Sequence, residues 1–396
     1  MIVNRIGKIF IKNFPILSEN GGYLAPGPQK MDKTAEKKPA KSFSTLLLQW
    51  NKEKNRREMP WKGENDPYRI WLSEIILQQT RVDQGLAYYE RFIQEFPSIK
   101  DLAASKETTV FKLWEGLGYY SRCRNLIATA KYIASERNGV FPDTYEDILN
   151  LKGIGPYTAA AIASFAYNLP HAVVDGNVFR VLSRIFGISV AIDSTEGKKY
   201  FAGLANQLLD KKCPGLYNQA IMDFGAIVCK PALPVCSSCV FNRQCKAYLE
   251  GRVNELPVKG KKISIKKRWF YYLVLEYKGK FAIRQRTAKD IWNQLYEFPL
   301  IEADAEKETA ELLRLLEQKR WILSKKYSLV FYSSVFRQQL SHQLIAGQFI
   351  SMKVDKQGEL PEGTIWVSEK EMGDYPFPGL INQFFVKRGS QDQSLF

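Results

Sequence analysis

From Phe43 to about Glu250, apolar residues recur at three-to-four spacing between short polar connections, a period that predicts an all-α region. Two helix starts are marked. Asp66-Pro67 offers an N-cap followed by proline in the first turn, and the helix it opens runs through Glu74 to Thr80. Asp175-Gly176-Asn177 follows the apolar Ala172-Val173-Val174 and opens another through Val178, Val181, Leu182 and Ile185. Residues 1–40 mix Gly21-Gly22, Pro26, Pro28 and Lys37-Lys38-Pro39 without a sustained period and read as a flexible arm. Within it Ile2 to Ile16 is weakly basic and amphipathic, which leaves open both a targeting segment and a true start at Met31.

The pattern changes after Glu250. Residues 251–268 read as a linker, since Lys259 to Arg268 holds six Lys/Arg and no acid. Trp269 to Tyr277, a Lys278-Gly279-Lys280 turn and Phe281 to Arg286 then predict a hairpin. A charged helix from about Ala305 to Lys319, strands around Ser328–Phe336 and Gln343–Val354, and a last helix near Gly379–Val386 complete an α+β region. No repeat of fixed period is present.

At 396 residues and 45% hydrophobic, the chain can bury two or three separate cores. No run approaches the roughly 18 apolar residues of a membrane span, and no apolar signal core precedes a small-residue cleavage site. The expectation is a cytoplasmic protein. The net charge of +16 points to a polyanionic partner, nucleic acid first, because neutralising phosphates releases condensed counterions. Residues 1–60 hold 12 Lys/Arg against 5 Asp/Glu, yet the remaining +9 keeps the same sign. Of six cysteines, Cys229, Cys236, Cys239 and Cys245 fall within 17 residues, a clustering that suggests a metal site in a reducing compartment. Cys123 and Cys213 stand apart and read as buried thiols.

Chemistry enters with three features. Glu74 has Ile70, Trp71 and Leu77 at helical spacing, so it lies on an apolar stripe where burial raises its pKa. A carboxylic acid kept protonated near neutral pH can donate a proton to a leaving base, although a glutamate bridging two helices fits the same pattern. Asp175, at a helix N-terminus, is expected to stay ionised through the dipole and free N–H groups and so to favour a cationic transition state; an ordinary N-cap fits equally. Such a pair, one acid pushed toward neutral and one toward charged, is what acid-assisted glycosidic cleavage needs. Third, Leu151-Lys-Gly-Ile-Gly-Pro-Tyr-Thr-Ala159 puts Gly153 and Gly155 before a helix start, where backbone N–H groups can approach a phosphate, or where a plain turn joins two helices.

Taken together, Ser73-Glu74-Ile-Ile-Leu-Gln-Gln-Thr80, Gly116-Leu-Gly-Tyr-Tyr-Ser-Arg122, Leu151–Ala159, Val174-Asp-Gly-Asn177 and Cys-x6-Cys-x2-Cys-x5-Cys resemble the MutY-type adenine DNA glycosylases of the helix-hairpin-helix superfamily. The resemblance implies a six-helix barrel over residues 67–175. A cluster-bearing helical domain would be built from 41–66 and 176–250, with a Nudix-like module over 269–396. It implies excision of adenine mispaired with 8-oxoguanine or guanine in duplex DNA, with the base flipped into a cleft between the helical domains. By the same resemblance Glu74 protonates adenine at N7 and handles the water, Asp175 stabilises or briefly bonds the sugar cation, and Asn177 and Tyr157 position both. Gln79 and Tyr119 enter or brace the base stack, Gly153 and Gly155 meet the backbone, and Ser341 with His342 reads the lesion. Leu340 stands where the family more often has an aromatic residue. The four cysteines would hold a 4Fe-4S cluster that shapes a basic loop around Arg243 and Lys246, while their spacing alone leaves zinc open. Tyr157 occupies the place of the Schiff-base lysine of bifunctional relatives, which implies no lyase activity; Lys152 reads as a phosphate contact or a solvated charge. The C-terminal region carries Trp292-Asn-Gln-Leu-Tyr-Glu-Phe-Pro299 but no acidic Nudix box, so pyrophosphate hydrolysis is not expected. A monomer on one lesion is the simplest arrangement. Two rival readings are a glycosylase of the same superfamily for thymine or oxidised pyrimidines, and a non-catalytic, redox-sensing DNA-binding protein.

Overall fold

The computed structural model describes residues 37–260, 264–323 and 326–391. Most of the expected arm lies outside these residues, and its last four, Lys37 to Ala40, belong to the first helix, Lys37–Lys54. Helices follow one another to Lys246–Leu249, as the three-to-four spacing requires. Among the described residues no helix is long and apolar enough to cross a membrane.

The helices enclose two apolar cores. In one, Phe43, Leu47 and Trp50 of the first helix pack with Val178, Val181, Leu182, Phe201, Phe224 and Phe241. The second gathers Trp71, Ile75, Phe92, Trp114, Leu126 and Ile162, and it continues into Phe270, Trp292, Phe298 and Phe349 of the C-terminal domain. The sheet is thus packed directly onto the helices. Lys112 Nζ donates to the Tyr375 carbonyl at 3.2 Å and Arg124 to the Asn293 carbonyl at 2.9 Å, which seals the junction.

Among the described residues that sheet has eight strands: β1 (Lys266–Tyr277), β2 (Lys280–Gln285), β3 (Tyr296–Glu297), β4 (Leu300–Ala303), β5 (Tyr327–Tyr332), β6 (Phe336–Gln339), β7 (Gln343–Val354) and β8 (Thr364–Ser368). The path runs β3-β2-β1-β7-β5, with β4 on β1, β6 on β7 and β8 on β2. The central pair β1 and β7 is parallel and apolar on both faces, while every other pairing is antiparallel. The Thr309–Gln318 helix covers the second face through Leu312 and Leu316.

Several boundaries differ from the periodic reading. β1 begins at Lys266, inside the expected linker, because Lys266 N–H finds the His342 carbonyl at 2.9 Å. The strand expected over Ser328–Phe336 is two strands. Ser333 interrupts it by accepting the Phe349 N–H on its hydroxyl at 2.9 Å and taking the Gln348 amide on its carbonyl, also at 2.9 Å. The hairpin β6–β7 then turns through Leu340-Ser341-His342, closed by Leu340 N–H to the Gln343 carbonyl at 2.7 Å. Three short strands, β3, β4 and β8, carry too few residues for alternation to register.

Candidate active site

Asp66 caps the Pro67–Leu77 helix by accepting the Tyr68 N–H at 2.9 Å, as the Asp-Pro start implies. Its other end comes three residues before the expected Thr80. Arg122 is the cause: its Nη1 donates to the carbonyls of Ile75 at 2.7 Å and Ile76 at 2.9 Å and also to that of Gln78. One buried guanidinium therefore satisfies the carbonyls that the helix leaves unpaired. Beyond the cap Gln79 takes a left-handed backbone (φ 60°) and faces the cavity, and Gln78 ties the turn to Thr158 Oγ1 at 3.1 Å. Burial lowers the Arg122 pKa to about 10, which leaves it charged in neutral solution.

The helix end and five other segments enclose a cavity of about 590 Å³. Glu74, Tyr157, Asp175 and Asn177, the four residues expected to act, all line it, with Gln79 and Tyr119 at the same opening. Glu74 is buried, and the loss of water pushes its carboxyl up to about 7; the Asp175 charge adds to the rise and the Tyr157 hydroxyl tempers it. Tyr157 itself is held neutral, well above its usual range, by burial and by both acids, and its hydroxyl donates to Met222 Sδ at 3.5 Å.

Asp175 corrects one expectation. As N-cap of the Gly176–Phe186 helix it accepts Val178 N–H at 2.7 Å and the Asn177 amide at 2.7 Å, yet its pKa is raised, not lowered. Burial outweighs the capping bonds and the nearby Arg180 charge. Both acids therefore move upward, Asp175 against its capping bonds and the Arg180 charge, Glu74 against the Tyr157 hydroxyl.

A chain of contacts runs back from Asp175. Asn177 Oδ1 accepts Arg180 Nη2 at 2.8 Å, and Arg180 also donates to the carbonyls of Gly225 at 2.8 Å and Cys229 at 2.7 Å. Cys229 is one of four cysteines that line a second, smaller cavity together. Arg184 Nη1 lies 3.6 Å from the Cys229 sulfur and Phe241 N–H 3.4 Å from that of Cys239, so positive and N–H donors face the thiols. Among the described residues, no three His, Cys, Asp or Glu gather closely enough to hold a single metal ion. All four cysteines are unpaired, Cys123 is buried as expected, and Cys213 is only half-buried.

Residues that the sequence did not single out complete the pocket. Arg57, Trp61, Gln219 and Met222 form its inner wall. Behind them Asp223, fully buried, accepts Arg57 at 2.8 Å, Asn55 at 2.8 Å, Lys62 at 3.0 Å and Gln219 at 3.0 Å. A lone acid in the apolar Pro214–Ile227 helix was the available signal.

The remaining expected residues lie outside the cavity. Gly153 (φ 81°) and Gly155 sit in the connection from the Tyr145–Leu149 helix to the Pro156–Tyr167 helix. A Cβ on Gly153 would come within 2.6 Å of Asn125, whereas one on Gly155 would meet open space. Packing explains the first glycine and not the second. Ser341 and His342 are exposed at the β6–β7 turn, and Ser341 Oγ shares a 2.8 Å hydrogen bond with the Tyr119 hydroxyl. Leu340 packs against the apolar core beneath the turn.

Residues 72–206 match the HhH-GPD superfamily of base excision DNA repair proteins, and residues 270–387 match the NUDIX domain. The adenine DNA glycosylase of Buchnera aphidicola subsp. Baizongia pistaciae (strain Bp) is 37% identical over 262 residues, spanning 65% of this chain and 73% of that one. That of Buchnera aphidicola subsp. Acyrthosiphon pisum (strain APS) is 32% identical over 300 residues, 76% of this chain and 84% of its own. Among solved structures a thermostable thymine-DNA glycosylase is 30% identical, with a TM-score of 0.49 over 53% of this chain and 97% of that one. The chain belongs to the MutY-type adenine DNA glycosylases, base-excision repair enzymes that hydrolyse N-glycosyl bonds, here with a C-terminal Nudix-like domain.

Proposed function

We propose that this enzyme removes adenine paired with 8-oxoguanine, or with guanine, from duplex DNA and leaves the strand uncut. The observation that carries the reading is a buried Glu74 with its carboxyl near pH 7, on the wall of a cavity that it shares with Asp175 and that has room for an extruded base. Half of such a group is protonated at neutral pH, which suits a proton donor to a departing purine. Glu74 protonates the adenine at N7 and afterwards takes the proton of the attacking water. Asp175, fixed by Asn177 and the helix N-terminus, stabilises the sugar cation or briefly bonds to it. Tyr157, neutral in its pocket, positions the pair and offers no amine for a Schiff base, so β-elimination is not part of the reaction.

Gln79 and Tyr119 flank the cavity mouth, where they enter or brace the stack around the extruded base. The open space at Gly155 admits a phosphate close to the N-terminus of the Pro156–Tyr167 helix. Ser341 and His342 read the partner base. The domain bounds 41–66 with 176–250 and 67–175, the latter a six-helix barrel, draw support from the two helical cores, although Trp61 packs in the second core and Ala160, Ala161 and Val173 in the first.

Cys229, Cys236, Cys239 and Cys245 fit a 4Fe-4S cluster: four free thiols line one cavity, with Arg184 and the Phe241 N–H turned toward sulfur. Such a cluster would brace the fold and the basic loop around Arg243 and Lys246.

Duplexes carrying adenine, thymine or thymine glycol opposite 8-oxoguanine or guanine test the reading. Strand cleavage at adenine only after alkali is expected. Breaks without alkali contradict the monofunctional reaction, and an unchanged rate in Glu74→Gln removes Glu74 from it. Ser341→Ala with His342→Ala should lose the preference for 8-oxoguanine while still excising adenine.

A further inference from the structure

The helix Glu107–Trp114 ends in a five-residue turn, Glu115 to Tyr119, that touches the C-terminal domain at both of its ends. At its start, Glu115 Oε1 accepts the Phe377 N–H at 2.9 Å and the Asn382 side-chain amide at 2.9 Å. The other carboxylate oxygen pairs with Lys112 at 2.8 Å, whose ammonium also reaches the Tyr375 carbonyl. At its finish, the Tyr119 hydroxyl meets Ser341. Between them Gly116 (φ 93°), Gly118 (φ 73°) and Tyr119 (φ 49°) fold the chain back on itself, and the Tyr88 hydroxyl pins the Glu115 carbonyl at 2.7 Å. Charge-assisted hydrogen bonds at a site only 16% exposed are strong enough to fix one body against another.

We propose that Glu115 is a positioning residue for lesion discrimination: by gripping the Phe377–Asn382 segment it sets the distance between Tyr119, at the base-extrusion cavity, and the Ser341-His342 turn. One short turn thus registers the reader of one strand against the site that acts on the other. This rests on Ser341 and His342 reading the partner base. Glu115 touches neither the cavity nor Ser341 and His342, so its loss should leave adenine excision itself intact and blur the comparison between partner bases.

The test uses the full-length protein, with rates normalised to the active fraction, and takes the single-turnover rate of adenine excision opposite 8-oxoguanine over that opposite guanine. Glu115→Ala removes both bonds and should lower this ratio by about tenfold or more, the scale of charged hydrogen bonds, with the rate opposite guanine within about twofold of wild type. Asn382→Ala removes one of the same bonds from the other domain and should lower the ratio too. The double variant should lose less than the product of the single losses, because one contact has been removed twice. Glu115→Gln, which can still accept both bonds, should recover most of the ratio. Should Glu115→Ala not fold, the contrast between Asn382→Ala, which should lower the ratio, and Glu115→Gln, which should keep most of it, carries the test. Equal losses opposite both bases, or unchanged ratios, overturn the inference. A wild-type ratio near one would overturn the lesion-reading assignment instead.

Discussion

Glu74→Gln should make the protein more stable while abolishing its chemistry. In the folded protein burial holds the Glu74 carboxyl at about 7 against an ordinary 4.5. Between those values the folded chain keeps a proton that the unfolded chain has released, so stability is greatest below pH 4.5 and falls as pH rises through about 7. At about 1.4 kcal/mol per pH unit the full cost above that range is about 3 kcal/mol. Glutamine has the same shape and no charge, so it avoids the cost. Urea unfolding followed by tryptophan fluorescence, which Trp61, Trp71 and Trp114 report from the same core, measures the difference. The gain should grow from about 1 kcal/mol near pH 5.5 to about 3 kcal/mol near pH 8. A variant no more stable than wild type at pH 8, or a gain that ignores pH, would refute the reasoning, because burial could not then be what sets the Glu74 pKa.

Three further outcomes follow from named contacts. Asp223→Ala strands Arg57 and Lys62 without their shared carboxylate and should cost about 3 kcal/mol or more in urea unfolding; a loss under 1 kcal/mol would mean that water replaces the pair. Arg180→Met leaves Asn177 Oδ1 and three carbonyls without their donor, so the single-turnover rate should fall about tenfold or more while DNA affinity in a gel-shift titration stays within about threefold; parallel losses would argue for general disruption. Gly153→Ala must adopt φ 81° against Asn125 and should lose about 1–3 kcal/mol, whereas Gly155→Ala should fold within about 0.5 kcal/mol of wild type and lose DNA affinity. Unchanged affinity in Gly155→Ala would remove the backbone from the phosphate contact.

Local signals carried much of the site into view. Glu74 stands out as an acid on an apolar stripe, and Asp175 as a cap after an apolar run, because helical spacing and capping act over a few residues. What decides their chemistry is long-range. The Pro67–Leu77 helix stops where Arg122 from a later helix takes its carbonyls, and spacing within the helix cannot show that. Arg57 and Gln219 reach the pocket wall through Asp223, whose partner Arg57 lies 166 residues away in the chain. The direction of the Asp175 shift was missed because capping bonds are legible locally and the depth of burial is not. In the C-terminal region, β1 and β7 are long enough to announce themselves, while β3, β4 and β8 exist only through pairing with them or with β2.

The pH dependence of adenine excision under single-turnover conditions, on a duplex with adenine opposite 8-oxoguanine, tests the role of Glu74 most directly. A rate that is level in mild acid and falls as pH rises through about 7, and that is absent in Glu74→Gln, is expected of a buried acid with this pKa. A wild-type rate that stays level from pH 6 to 9, or a Glu74→Gln variant that keeps it, would contradict proton donation by Glu74.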